Sequence, residues 1–201
     1  MQSVRERLVA AGVDLVVRDG ADAVGLREIA RRAGVSHGAP RRYFPTHRDL
    51  LSAIARQGFA ELAERFAAAA DPAAPPRDAL HALARTYVAY AVDRRGMFDL
   101  MFRHDLLRGD DDADRPKLRE ATLPMFDHIV ELVRQHRRAR PRTGRRTPAA
   151  VTAAALWANL HGITQLWGWG SAQLMLRTAD ADAGRDLDRL VTAALDAHLP
   201  A

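Results

Sequence analysis

Residues 26–44, LREIARRAGVSHGAPRRYF, decide the fold of this chain, because they read as two short helices joined by a sharp turn. Leu26, Ile29, Ala30 and Ala33 recur at helical spacing, so one face is apolar while Arg27, Glu28, Arg31 and Arg32 look outward. Gly34 ends that helix in the left-handed conformation that suits glycine, and the Ser36 hydroxyl stands where it can cap the next helix. Two helices held nearly at right angles by a short glycine turn make a helix-turn-helix, whose second helix enters the major groove of DNA.

The second helix carries the candidate chemistry. His37, Gly38 and Ala39 give it a first turn nearly free of bulk, so its N–H groups and positive dipole end can approach phosphate closely. Arg41 and Arg42 can neutralise phosphates or bond bidentately to guanine, and the Tyr43 hydroxyl can donate to a phosphate oxygen. Phe44 is expected to point inward. Pro40 lies within the first turn, where its missing N–H costs little, but it biases Ala39 away from helical geometry and predicts a short or tightly wound start. Arg27 and Ser36 complete the expected contacts on the motif itself.

At these residues a resemblance becomes specific. An apolar first helix, the LREIARRAGVS segment, a short helix ending in Tyr43-Phe44 and the capped entry Thr46-His47-Arg48-Asp49-Leu50-Leu51 together resemble the tetracycline-repressor (TetR) family over residues 4–60. The segment at residues 156–171, LWANLHGITQLWGWGS, is similar to a C-terminal domain type of that family named for Trp, His and Gly, here Trp157, His161 and Gly162. The chain departs from the family pattern at three points: Pro40-Arg41 replace a hydrophobic residue and tyrosine, His47 replaces a lysine, and Gly25 replaces a serine or threonine. The resemblance implies that Arg41 takes over a phosphate contact and that His47 makes a weaker or pH-sensitive one. It further implies a transcriptional regulator, a repressor by expectation, that binds a palindromic double-stranded operator as a homodimer and is released by a small organic ligand.

Composition agrees with this reading. The 201 residues, 48% of them hydrophobic, suffice to bury a core, and the absence of cysteine removes disulfide, thiolate and zinc–cysteine chemistry. With no signal-like start and no run of 18 or more apolar residues, a cytoplasmic protein without a membrane partner is expected. Of the net charge of +5, residues 1–60 hold 10 Arg or Lys against 6 Asp or Glu, leaving 20 against 19 in the rest. The positive excess therefore sits with the helix-turn-helix, as a phosphate-binding head requires.

The remaining chain reads as helix throughout, with no alternating strand pattern, so the expected fold is all-α. A three-helix helix-turn-helix head over residues 1–46 precedes a helical ligand-binding and dimerisation domain over 47–201. Val4, Leu8, Ala11 and Leu15 form the buried stripe of a first helix whose Arg5 and Arg7 are within reach of a DNA backbone, and Asp19-Gly20 stop it. Thr46 caps a long fourth helix that links head to body, and Asp71–Pro76 break it. Helical segments follow over 77–94, 97–107 and 115–138, the last with Pro124 positioned to kink or split it. Tyr87, Tyr90, Phe98, Met101, Phe102 and Met125 suit either plain core or the lining of a small-molecule cavity, with Trp157 and His161 on a shared helix face as further ligand contacts. Acidic residues at 110–114 and arginines at 134–146 read as solvated loops. Thr147-Pro148 open a helix, apolar nearly all round, that must be buried on more than one side. With the last helix, near 185–199, it predicts a four-helix dimer interface through Leu160, Trp167, Leu190 and Leu195, the alternative being that the two helices complete a monomeric core. No cofactor or metal is expected. A competing reading, a metal-dependent hydrolase, would use His81, His104, Asp105 and Asp127.

Overall fold

The structure, a computed structural model, describes residues 2–103, 107, 118–139, 147–179 and 182–200. The acidic run at 110–114, the arginines at 140–146 and the His104-Asp105 pair lie outside the described residues. Among those described, every regular element is a helix. They gather into two compact units, Met1–Leu62 with Asp93–Thr122, and Ala63–Val92 with Leu123–Ala201.

In the first unit, α1 (Val4–Asp19) opens on a capping box in which Ser3 and Glu6 satisfy each other's backbone N–H groups. It buries Leu8, Ala11, Leu15 and Val16 against α2 (Leu26–Arg32), α3 (Ala39–Tyr43) and α6 (Arg95–Met101). Between α1 and α2 the chain makes a short 3-10 turn, Ala21–Ala23, which the sequence pattern did not signal. The end of α2 follows expectation. Gly34 takes φ +64°, which lets its N–H reach the Arg31 carbonyl and the Val35 N–H reach back to Ala30, so the last carbonyls of the helix are satisfied. Arg7 secures the same turn from α1 by donating to the Ala33 carbonyl at 3.2 Å, an internal tie where the sequence suggested DNA backbone.

One helix start in this unit differs from expectation and one follows it. Ser36 does not cap α3 with its hydroxyl; its carbonyl instead accepts the Ala39 N–H at 2.9 Å, and α3 begins only at Ala39 with Gly38 before it. Pro40 explains this, since it has no N–H to give the Ser36 carbonyl, the bond that would open a helix capped at Ser36. Thr46 does cap α4 (His47–Ala69): its Oγ1 accepts the Asp49 N–H while Asp49 accepts the Thr46 N–H.

In the second unit lie α5 (Pro76–Asp93, up to Val92), the greater part of α7 (Leu118–Arg138), α8 (Ala149–Gly168), α9 (Ser171–Leu176) and α10 (Ala183–His198). The helix around 97–101 is shorter than expected, and α7 runs through Pro124 without splitting. Proline removes one N–H there, and the Glu120 carbonyl it would have bonded belongs to an exposed residue that water can serve. At the start of α8 the N-cap is Pro148 rather than Thr147, with no side-chain cap. Helix α8 packs on α10 and α9 through Thr152, Ala153, Leu156, Leu160, Thr164 and Trp167, leaving Ala150, Val151, Ala154 and Ala158 exposed. It is thus buried along one stripe in this chain, not on several sides. Arg77 donates to the Leu199 carbonyl and pairs with Asp196, while His81 bonds to Thr192, so α5 is held to α10.

The contact between α1 and α6 depends on one missing side chain. A Cβ on Gly96 would lie 2.2 Å from the Val16 carbonyl oxygen and 3.2 Å from Gly20 Cα, both backbone atoms that no rotamer change can move aside. Gly96→Ala is therefore expected to destabilise the protein by about 1–3 kcal/mol, read as a lower urea midpoint at unchanged slope. An unaltered midpoint would mean that α1 and α6 do not meet this closely in solution.

Candidate nucleic-acid interface and polar triad

The head presents its cations through a division of labour within each short helix. In α2, Ile29 and Ala30 are fully buried and Arg27 is exposed. Glu28 holds Arg31 through two bonds of 2.7 and 2.8 Å and Arg32 through a third of 2.8 Å. The Arg31 bond, foremost, keeps the Glu28 carboxyl below its ordinary range. In α3, Ala39 and Pro40 are buried, as is Phe44 just beyond, while Arg41, Arg42 and Tyr43 are exposed. Five residues cannot bury a broad face, so this inward trio fixes the outward one. Arg5 lies over the Phe44 ring, 5.1 Å from its centroid. The Thr46–Asp49 box sets the entry of α4, where His47 and Arg48 are exposed. Among the described residues Arg27, Arg41, Arg42 and Arg48 enter no ion pair.

Of the residues expected at a DNA surface, Arg27, Ser36, His37, Gly38, Arg41, Arg42, Tyr43 and His47 are all exposed. Ala39 is the correction. It is turned inward, and its N–H is already given to Ser36, so neither its side chain nor its amide is offered to a phosphate.

The candidate ligand residues fall into two groups. Tyr87, Trp157 and His161 meet in the second unit: the Tyr87 hydroxyl and His161 Nδ1 are 2.9 Å apart, and the Trp157 and His161 rings lie 5.5 Å apart at 33°. Burial, foremost, pushes the Tyr87 phenol above its ordinary value, against a hydrogen bond with Trp157 that pulls it down. An indole N–H only donates, so the Tyr87 oxygen accepts from Trp157, leaving the phenol hydrogen for His161 Nδ1. Tyr90 is fully buried with the Arg65 guanidinium over its ring, and Met125 is half-buried. Phe98, Met101 and Phe102 belong to the first unit. There Phe98 and Phe102 are 4.9 Å apart, Phe102 meets Phe59 edge-on at 5.7 Å, and Met101 lies beside Gly58 of α4.

The candidate dimer residues require the larger correction. Leu160, Trp167 and Leu195 are buried inside the second unit and Leu190 is half-buried. They form the α8–α10 core, because two helices that are both apolar do not reveal which stripe each turns to the other. The large apolar side chains left outside in this unit are Val92, Leu123, Val151 and Leu166, Trp169 at 66% exposure, and Leu174, Met175 and Leu176 of α9, with Leu174 at 81%.

Residues 8–54 match the family model of bacterial regulatory proteins, tetR family, and residues 80–198 match that of the tetracyclin repressor-like C-terminal domain. The chain belongs to the tetR family. A relative, the HTH-type transcriptional regulator BetI of Rhizobium meliloti strain 1021, is 37% identical over 95 residues, or 47% of this chain and 46% of that one. The match thus spans about half the length of that regulator. Among solved structures, a protein of unknown function from Rhodococcus sp. RHA1 is 30% identical with a TM-score of 0.75, covering 99% of this chain and 95% of its own. A TetR transcriptional regulator of Streptomyces coelicolor is 26% identical with a TM-score of 0.52, covering 98% of each chain.

Membership of a family of regulatory proteins removes the hydrolase reading. His81 is occupied with Thr192 and Asp127 is exposed. Among the described residues no helix is long and apolar enough to cross a membrane. Sequence reasoning missed the tie made by Arg7 and the apolar end formed by Trp169 and α9. The run Leu174-Met175-Leu176 was the available signal for the latter, but six residues are too few to show a period.

The Tyr87 phenol gives a pH test of the triad. A raised folded value means that its contribution to stability is present below the ordinary value of 10.0 and is lost as pH rises above it, since only the unfolded chain then ionises there. Urea stability should fall above pH 10, and Tyr87→Phe should make that decline shallower by up to about 1.4 kcal/mol per pH unit. Equal slopes in both proteins would place Tyr87 in water.

Proposed function

We propose that this tetR-family chain is a transcriptional repressor that binds a palindromic operator as a homodimer and is released by a small organic ligand. DNA binding is assigned to residues 1–46, ligand binding and dimerisation to 47–201. The observation that carries the reading is the outward set Arg41, Arg42 and Tyr43 on a helix whose other side is buried, joined by unpaired Arg27 and by Arg48. Guanidinium groups free of internal carboxylates are the groups that displace counterions from phosphate. Two heads related by a two-fold axis would reach major grooves about 34–36 Å apart.

The second copy is assigned to the exposed apolar side of α8 and α9, since a monomer rarely leaves Trp169 and Leu174 together in water. Tyr87, Trp157 and His161, with Tyr90 and Met125 of the same unit, are assigned to the ligand, while Phe98, Met101 and Phe102 pack within the first unit. Helix α4 belongs to both units, ending its part in the first at Leu62, and is the candidate link between ligand and head. A ligand that favours the non-binding arrangement tenfold shifts the balance by about 1.4 kcal/mol. The cytoplasm is the compartment where such a protein meets DNA.

Replacing Arg41 and Arg42 together by alanine should weaken duplex binding and lower the slope of log affinity against log salt by about 0.9 for each phosphate contact removed. An unchanged gel shift across salt concentrations would withdraw α3 from the interface. For the dimer, Trp169→Glu with Leu174→Glu should raise the dissociation constant at least about 30-fold, a loss of about 2 kcal/mol, measured by analytical ultracentrifugation. If the doubly substituted protein associates as before, the second copy sits elsewhere.

A further inference from the structure

We infer that Glu28 holds down the affinity of the head for DNA of arbitrary sequence by keeping Arg31 from phosphate, so that removing its charge tightens binding to random duplex. The inference rests on the DNA-binding reading above and deepens it by naming a residue that opposes contact, where those assigned so far promote it.

Arg27 and Arg31 stand four positions apart on α2, share one face of it and are both exposed. The first helix of a helix-turn-helix crosses the DNA backbone, so a guanidinium one turn beyond Arg27 lies on the side that meets phosphate. Their surroundings differ. Arg31 donates its Nε to one oxygen of Glu28 at 2.8 Å and a terminal nitrogen to the other at 2.7 Å. This is the paired geometry in which a guanidinium grips a carboxylate or a phosphate, and the Glu28 carboxylate occupies it. Burial does not impose the pair, since the Arg31 side chain is 67% exposed. The same bond keeps the Glu28 carboxyl below its ordinary range, so the negative charge is present at neutral pH.

Arg32 is placed differently. It bonds to Glu28 at 2.8 Å, but it also lies 3.9 Å from Asp19 at the end of α1, which is itself paired with Arg18. Without the Glu28 charge Arg32 still has a carboxylate beside it. Arg31 has no second one among the described residues. Glu28 therefore governs one cation in each head.

A guanidinium neutralised by its own carboxylate displaces no counterion from DNA, and it adds nothing to the salt-dependent part of the affinity. On random duplex that part is nearly the whole of the affinity. The outward Arg41 and Arg42 have no such restraint, so the head limits its phosphate contacts on α2 while leaving those of α3 open.

The test uses the full chain and a short duplex of random sequence, followed by fluorescence anisotropy at neutral pH and several salt concentrations. Glu28→Gln should bind at least about threefold more tightly near 0.1 M salt, with the slope of log affinity against log salt steeper by about 0.9 per head. A damaged fold does not produce a gain, so the direction of the change separates the two. Glu28→Gln with Arg31→Ala, which has the net charge of the wild type, should return to wild-type affinity and slope. Circular dichroism confirms that the variants are folded. A Glu28→Gln protein that binds as the wild type does, or a gain that persists in full when Arg31 is also replaced, overturns the inference while the DNA-binding reading stands. Wild type and variants that ignore the duplex even at low salt overturn both.

Discussion

The angle between α2 and α3 rests on the Ala33 carbonyl. This oxygen lies at the end of α2, where the chain must turn sharply, and it accepts from an arginine that comes from the other end of the head. A hydrogen bond from a charged donor contributes roughly 1.5–3 kcal/mol when partly buried. The left-handed Gly34 bends the chain, and Arg7 keeps the bend from relaxing. Ala39, Pro40 and Phe44 can then drop into the head, and whatever lies between and beside them is turned outward. The positive surface is a result of this packing rather than a separate feature laid upon it.

Charge within the head is correspondingly selective. The sequence puts eight arginines from Arg5 to Arg42, but three of them serve the fold: Arg31 and Arg32 on Glu28, and Arg7 on a carbonyl. Exposed pairs such as Arg31–Glu28 add little stability on their own. They do remove two cations from the candidate surface and leave Arg27, Arg41 and Arg42 as its centre. Net charge over residues 1–60 therefore points to a region and does not distinguish its residues.

What could be read in advance follows from the range of each interaction. Local signals were reliable: the apolar period of α1 and α2, the glycine that ends α2, the Thr46 cap and the proline break before α5 all depend on residues a few positions apart. The Ser36 cap failed because Pro40 has no N–H for the Ser36 carbonyl, and the helix expected after Thr147 begins one residue later, with Pro148 before it. The meeting of Tyr87 with His161 spans 74 residues, and only Trp157 and His161, four apart on one helix, announced themselves. Leu160, Trp167 and Leu195 were misassigned because apolar character says that a residue leaves water, and not which neighbour covers it.

The crossing of α1 and α6 carries a consequence for descent. Val16 and Gly20 lie near the end of one helix and Gly96 near the start of another, yet backbone touches backbone there. Any lineage that acquires a side chain at position 96 must first have moved the end of its first helix, by a shorter loop or a changed stop. The three positions thus act as one mechanical unit, and a chimera that takes its head from one relative and its body from another should be joined so that they stay together.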